Sequence, residues 1–335
     1  MIQTRPSGDP EETGRLILGR DYLEPNAAVT VAMGPGCVGG IAPGKKQVLK
    51  EKWDGNEDAM AAISSGGHLA LLVADSHFGA AAAEWAVTEF DSLFGEQGGS
   101  LAARLFKVHL ILDDLLRERK LAESLYPGCA TTLASAVIEG DILTFCGTGD
   151  SPLTLFRRGA PYSLLDLQDG VFLGNPVPLT EPARRELERL GCLDAMTNPA
   201  QFFEILAELA QIAAAHQNRL VREADVALAW HRLSGLFGAP FPLDPAKLAT
   251  PWLPLFTILT RFLPAVGTQK LLPGDRLLLA TDGLLEPASG CPAAKVAEIL
   301  GQKLADERVL ARQLLRACGG RDGGRDNLMF LLKTL

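Results

Sequence analysis

No uninterrupted apolar run in this 335-residue chain approaches the ~20 residues that a membrane-spanning helix needs. No CxxC pair occurs either. The six cysteines (Cys37, Cys129, Cys146, Cys192, Cys291 and Cys318) stand far apart, several of them within apolar runs. That spacing argues against a zinc site and predicts buried, reduced thiols in a cytoplasmic protein. A GxSxG elbow is missing, which leaves a serine hydrolase without support. There is no basic stripe: 32 Lys and Arg against 40 Asp and Glu give a net charge of −8, with the cations scattered. Neither a nucleic acid nor an acidic membrane surface is the expected partner. The first residues, MIQTRPSGDPEETGRL, are polar and acidic and do not read as a signal peptide. Internal repeats and low-complexity tracts are also lacking.

What the chain does have is 47% apolar residues, ample for a large core. Residues 1–26 read as a loose leader, and 27–335 as one principal domain. Strand patterns fall at 27–33, 69–75, 131–138, 142–146, 153–156, 276–281 and 328–333. Glu139-Gly140-Asp141 marks a hairpin turn between two of them. Helical spacing covers 80–92, 100–119 and roughly 292–317. A helical block also fills an insertion at about 165–265, most clearly over 201–232. Strands gathered into hairpins, with helices in separate blocks, predict an α+β fold rather than a doubly wound parallel sheet.

Acids recur where apolar runs stop. Asp58 lies in NEDA, Asp75 in VADSHFG, Asp282 in LLLATDG and Asp326 in GGRDN, with Asp150 in GTGDS. A carboxylate ending a buried strand is costly unless compensated, and a cation is the obvious compensator. Oxygen-only donors suit magnesium or manganese rather than zinc. Taken singly, each aspartate reads as a helix cap or turn residue; the set of them is what points to metal.

Five segments, NEDA, VADSHFG, GCATTLASAV with GTGDSPLTLF, LLPGDRLLLATDGL and GGRDNLMFLL, resemble in order the signature segments of the PPM (type 2C) protein phosphatases. The match spans roughly 50–160 and 266–335. The resemblance implies an α-β-β-α sandwich of two antiparallel sheets and hydrolysis of phosphoserine or phosphothreonine in a phosphorylated protein substrate. It also implies two Mn2+ or Mg2+ ions, with room for a third. By that resemblance Asp75 bridges the two metals and the Ser76 carbonyl ligates the first. Asp282 and Asp326 hold the second, while Glu57 and Asp58 reach the first through its waters. Asp150 matches the acid of the third, looser site, and His77 the general acid for the leaving alkoxide.

The pattern also departs from the family. Ser76 and Phe78 replace residues that are usually small, and Phe78 is expected to narrow the entrance. Trp53 stands where the family places its phosphate-binding arginine, and an indole cannot make a bidentate contact to phosphate. Lys52 beside it would point to the other face of a strand. These changes keep two rivals open: a pseudophosphatase acting as a binding or regulatory module, and a small-molecule phosphate-ester hydrolase. The insertion reads either as an elaborated flap or as a docking surface for a regulatory partner. Its His216 and His231 lack ligand spacing. Finally, GPGCVG at 34–39 and the GxxxxGK match from Gly39 to Lys45 mimic nucleotide-binding loops. Pro43 and Lys46 break both, so the segment is expected to be a flexible hairpin loop.

Overall fold

The computed structural model describes residues 13–23, 28–44, 55–121, 125, 129–165, 172–174, 181, 185, 263–285, 291–302, 306–319 and 326–335. The helical block 201–232, His216, His231, Cys192, Lys52 and Trp53 lie outside the described residues. No described helix is long and apolar enough to cross a membrane.

Two antiparallel sheets form the centre. The first has the order β1 (Thr13–Leu18), β4 (Asp58–Ser65), β5 (His68–His77), β7 (Leu133–Glu139), β8 (Ile142–Thr148) and β11 (Ala265–Lys270). A short β6 (Ala130–Thr131) pairs with the end of β5. The second runs β10 (Ala160–Leu165), β9 (Leu153–Arg157), β12 (Arg276–Ala280), β13 (Leu328–Thr334), β3 (Cys37–Ala42) and β2 (Val29–Gly34).

Alternation along the strands explains the layering. In β4 and β5, Met60, Leu71 and Val73 enter the core between the sheets, where they meet Leu155, Leu279, Met329 and Leu331. Ala59, Ala61, Leu72 and Ala74 face the other way, onto helices α1 (Ala81–Glu96) and α2 (Leu101–Leu121). Small residues on both sides of that contact, Ala82, Ala83 and Ala86 from α1, let helix and sheet approach closely. On the second sheet, Phe330 and Leu332 pack outward against α3 (Ala293–Leu300) and α4 (Glu307–Gly319). Because both faces of these strands are buried, their sequences read as nearly continuous apolar runs. The result is the expected α+β sandwich of two antiparallel sheets flanked by helices.

Two expectations are corrected. The leader assigned to 1–26 contains β1, which pairs antiparallel with β4 from Thr13↔Ser64 to Leu18↔Ala59. Ile17 enters the inter-sheet core there, so a short edge strand is anchored by one buried side chain. The Gly-rich segment after residue 34 is not a loop: Cys37–Ala42 is β3, hydrogen-bonded to both β2 and β13. Glycine lowers strand propensity, which hides the strand, but here it makes room. A Cβ on Gly40 would lie 2.2 Å from the ring of Phe330, which is fully buried. The predicted hairpin at Gly140 does form, with that residue at φ 60° joining β7 to β8.

The helical block expected at roughly 292–317 consists of two helices, α3 and α4. All five described cysteines are buried, and none of them forms a disulfide.

Candidate functional site

The register of β4 against β5 places Asp58 directly opposite Asp75. Both lie two residues beyond inward-facing Met60 and Val73, so the pleat turns both carboxylates into the end of the space between the sheets. They are 0% and 3% exposed. Like charges directly opposite on neighbouring strands are destabilising, so this pair needs positive compensation.

Strand β12 brings the second sheet to the same place. Thr281, just after it, donates its hydroxyl to Asp58 Oδ2 at 3.0 Å and accepts a hydrogen bond from Met329 N at 3.0 Å. The chain then makes one 3-10 turn, Asp282–Leu284. Gly283 in that turn lies so close to the next strand that a Cβ would sit 2.0 Å from the Asn327 carbonyl oxygen. The Asp282 turn is thereby held against the Asp326-Asn327 segment, in which Asp326 Oδ1 accepts from Asn327 N at 2.9 Å. Asn327 is itself clamped: its Oδ1 accepts from Gly44 N at 3.1 Å, and its Nδ2 donates to the Gly55 carbonyl at 2.9 Å. Four separated stretches of chain are stitched together at one end of the sandwich.

The remaining predicted residues fall around this point. Glu57 Oε1 accepts from Gly79 N at 2.8 Å and so fixes the turn that follows β5. Ser76 is fully buried in β5 and donates its hydroxyl to the Ala130 carbonyl at 3.1 Å. Its φ is not positive; the left-handed backbone falls instead at Phe78, with φ 62°, and that residue is 53% exposed. His77 ends β5 and pairs with Ala130 of β6. Its ring meets Phe172 edge-to-face, with centroids 4.7 Å apart and planes at 87°. Asp150 is half-buried in the turn between β8 and β9. A link to Asp75 runs through Thr132, whose Oγ1 accepts from Asp75 N at 2.9 Å and lies 2.6 Å from Ser151 Oγ.

Asp58 and Asp75 thus face each other across β4 and β5, while the turn that carries Asp282 packs against the Asp326-Asn327 segment. Among the described residues, no three His, Cys, Asp or Glu side chains converge closely enough to hold a metal ion as they stand. The donor chemistry nevertheless fits a hard divalent cation: the donors are carboxylates, and the Oδ1 atoms of Asp58, Asp75 and Asp282 are shielded from solvent. A nearby thiol does not alter this. Cys129, 3.9 Å from Ser76 Oγ, has its thiol pKa raised by burial.

Thr281 and Thr132 were within reach of the sequence, since they lie inside the ATDG and ATTLAS segments. Phe172 carried no such signal.

No protein-family profile and no curated protein matches this chain. Solved structures do. A bacterial serine phosphatase aligns over 89% of this chain and 96% of its own, with a TM-score of 0.53 at 14% identity. The serine/threonine phosphatase Stp1 from Staphylococcus aureus aligns over 92% and 97%, with a TM-score of 0.54 at 15% identity. The catalytic domain of the serine/threonine protein phosphatase PstP, solved with two manganese ions, aligns over 89% and 96%, with a TM-score of 0.50 at 19% identity. The chain shares its fold with bacterial serine/threonine phosphatases.

Proposed function

We propose that this chain is a PPM-family phosphatase that hydrolyses phosphoserine or phosphothreonine in proteins with the help of Mn2+ or Mg2+. One observation carries the reading: buried Asp58 faces buried Asp75 across β4 and β5, with the Asp282 and Asp326 turns closing the same end of the sandwich. A fold shared with serine/threonine phosphatases, one of them solved with two manganese ions, supports it.

Asp75, Asp282 and Asp326 would hold the cations directly, together with the Ser76 carbonyl, while Glu57 and Asp58 would act through ordered water. Asp150 would serve a third, weaker site. When bound, such cations supply Lewis-acid activation of water and neutralise charge developing on the phosphoryl group. The chain's own contribution is positional. Thr281 holds Asp58 against the second sheet, and Gly283 lets the Asp282 turn pack against the Asp326-Asn327 segment. His77, at the end of β5, would donate a proton to the departing serine or threonine oxygen. A regulatory partner docking on the insertion belongs to the same proposal.

A second reading has an observation of its own. Trp53 stands where the resembled family has its phosphate-binding arginine, and among the described residues the carboxylates do not form one closed ligand group. Both favour a binding module without turnover, or a hydrolase of small phosphate esters. The deciding experiment is manganese-dependent release of phosphate from a phosphothreonine peptide, with Asp282→Asn alongside. Metal-dependent release that disappears in the variant supports the phosphatase. Manganese binding without release from peptides or small esters supports the binding module.

A further inference from the structure

We propose that Phe172 is a positioning residue for His77, and that the segment 172–174 is a clip holding the proton donor in place; this rests on the phosphatase reading above. The clip is fastened at Leu173 and Gly174. Leu173 is fully buried and exchanges two hydrogen bonds with Thr131 of β6: Leu173 N to the Thr131 carbonyl at 2.8 Å, and Thr131 N to the Leu173 carbonyl at 3.2 Å. Gly174 N donates to Asp113 Oδ1 of α2 at 2.7 Å, and Lys120 Nζ donates to the Gly174 carbonyl at 2.5 Å. Asp113 is 1% exposed and is also paired with Arg117 at 3.2 Å. Gly174 itself has φ 81° and lies against α2, where a Cβ would meet Leu116 at 3.2 Å.

Phe172 is therefore delivered to His77 by anchors on β6 and α2. The histidine backbone pairs with Ala130 on the same short β6 and is followed by the left-handed turn at Phe78. The ring of Phe172, with its centroid 4.7 Å from that of His77, restricts the imidazole torsion. Orientation matters for a general acid, because its proton must lie within hydrogen-bond reach of the leaving oxygen. A serine or threonine alkoxide needs that proton; p-nitrophenolate leaves without it.

The test compares wild type, His77→Ala, Phe172→Ala, Phe172→Tyr and the double alanine variant, all full-length, with manganese and both a phosphothreonine peptide and p-nitrophenyl phosphate. Phe172→Ala is expected to lower kcat on the peptide on the order of tenfold while leaving kcat on the aryl ester within about twofold. Phe172→Tyr restores the peptide rate, and the double variant is no slower than His77→Ala. Equal losses on both substrates, or losses that multiply, overturn the proposal and make Phe172 merely structural.

NMR of the imidazole gives a readout independent of turnover. With five histidines in the chain, His77→Ala assigns the signal. Phe172→Ala should shift it through loss of the aromatic ring current, and an unmoved signal overturns the contact. Release of no phosphate by the wild type from either substrate overturns the phosphatase reading and the catalytic role with it, while the NMR shift still decides the contact.

Discussion

The hydroxyl of Thr281 reaches from one sheet to the other and donates to Asp58 Oδ2, 223 residues earlier in the chain, at 3.0 Å. The Thr281 oxygen also accepts from Met329 N. Replacing Thr281 by valine keeps the shape and removes both bonds, leaving a buried carboxylate short of a donor. The expected loss is about 1.5–3 kcal/mol in urea unfolding, with Thr281→Ser retaining most of the stability. No loss in the valine variant would mean that Asp58 is held by other groups.

Asp282→Asn should bind at least one manganese ion fewer than the wild type in calorimetry and lose metal-dependent phosphate release. An unchanged stoichiometry would remove Asp282 from the ligand set. Because the carboxamide is close in shape to the carboxylate, the melting temperature without metal should change little.

His109 is buried between Thr148 Oγ1 and Ser135 Oγ, at 2.9 and 2.8 Å, and burial pushes its pKa down to about 3. In the unfolded chain the imidazole takes up its proton at about pH 6.5. Between those values the unfolded state binds more protons, so acid favours unfolding and the folded state gains stability as pH rises. This group alone gives a slope of up to about 1.4 kcal/mol per pH unit, fully relieved above about pH 6.5. Urea midpoints at pH 7, 6 and 5 should show it, and His109→Gln, which cannot titrate, should flatten that part of the curve.

Gly283→Ala should destabilise the protein by about 1–3 kcal/mol, because its methyl would sit 2.0 Å from the Asn327 carbonyl oxygen. Manganese affinity should fall as well, since the clash pushes the Asp282 turn away from the Asp326-Asn327 segment. Gly95→Ala, on the exposed side of α1 with open space around it, should instead raise stability by about 0.5–1 kcal/mol. Thermal melts and metal titrations of the two variants check both signs.

Phe78 combines a left-handed backbone with an exposed side chain. Phe78→Gly should therefore raise stability by about 0.5–1 kcal/mol, strain relief outweighing the added freedom of the unfolded chain. A fall in stability in thermal melts would show that the ring makes contacts worth more than the strain.

Much of the sandwich was legible in advance. Apolar runs such as LALLVAD and LMFLLK read as buried strands because each is covered on both faces. Asp58, Asp75, Asp282 and Asp326 stood out because each interrupts such a run or follows one. Strands β1 and β3 did not stand out. One is anchored by the single inward Ile17, and the other is rich in glycine, so local propensity argued against both.

Sequence by itself determined which residues are apolar, in what period, and where acids punctuate them, and these follow from local chemistry. Tertiary structure alone decided which distant groups meet. Thr281 finds Asp58, Phe172 finds His77, and Cys291 shares a hydrogen bond with Cys318 that lowers the first thiol's pKa while the second is raised. None of these partners carries a mark of the other, because their closeness is set by strand register and by helices packing on sheets. Such contacts are made by chain segments far apart in sequence, so they exist only once the whole sandwich has closed.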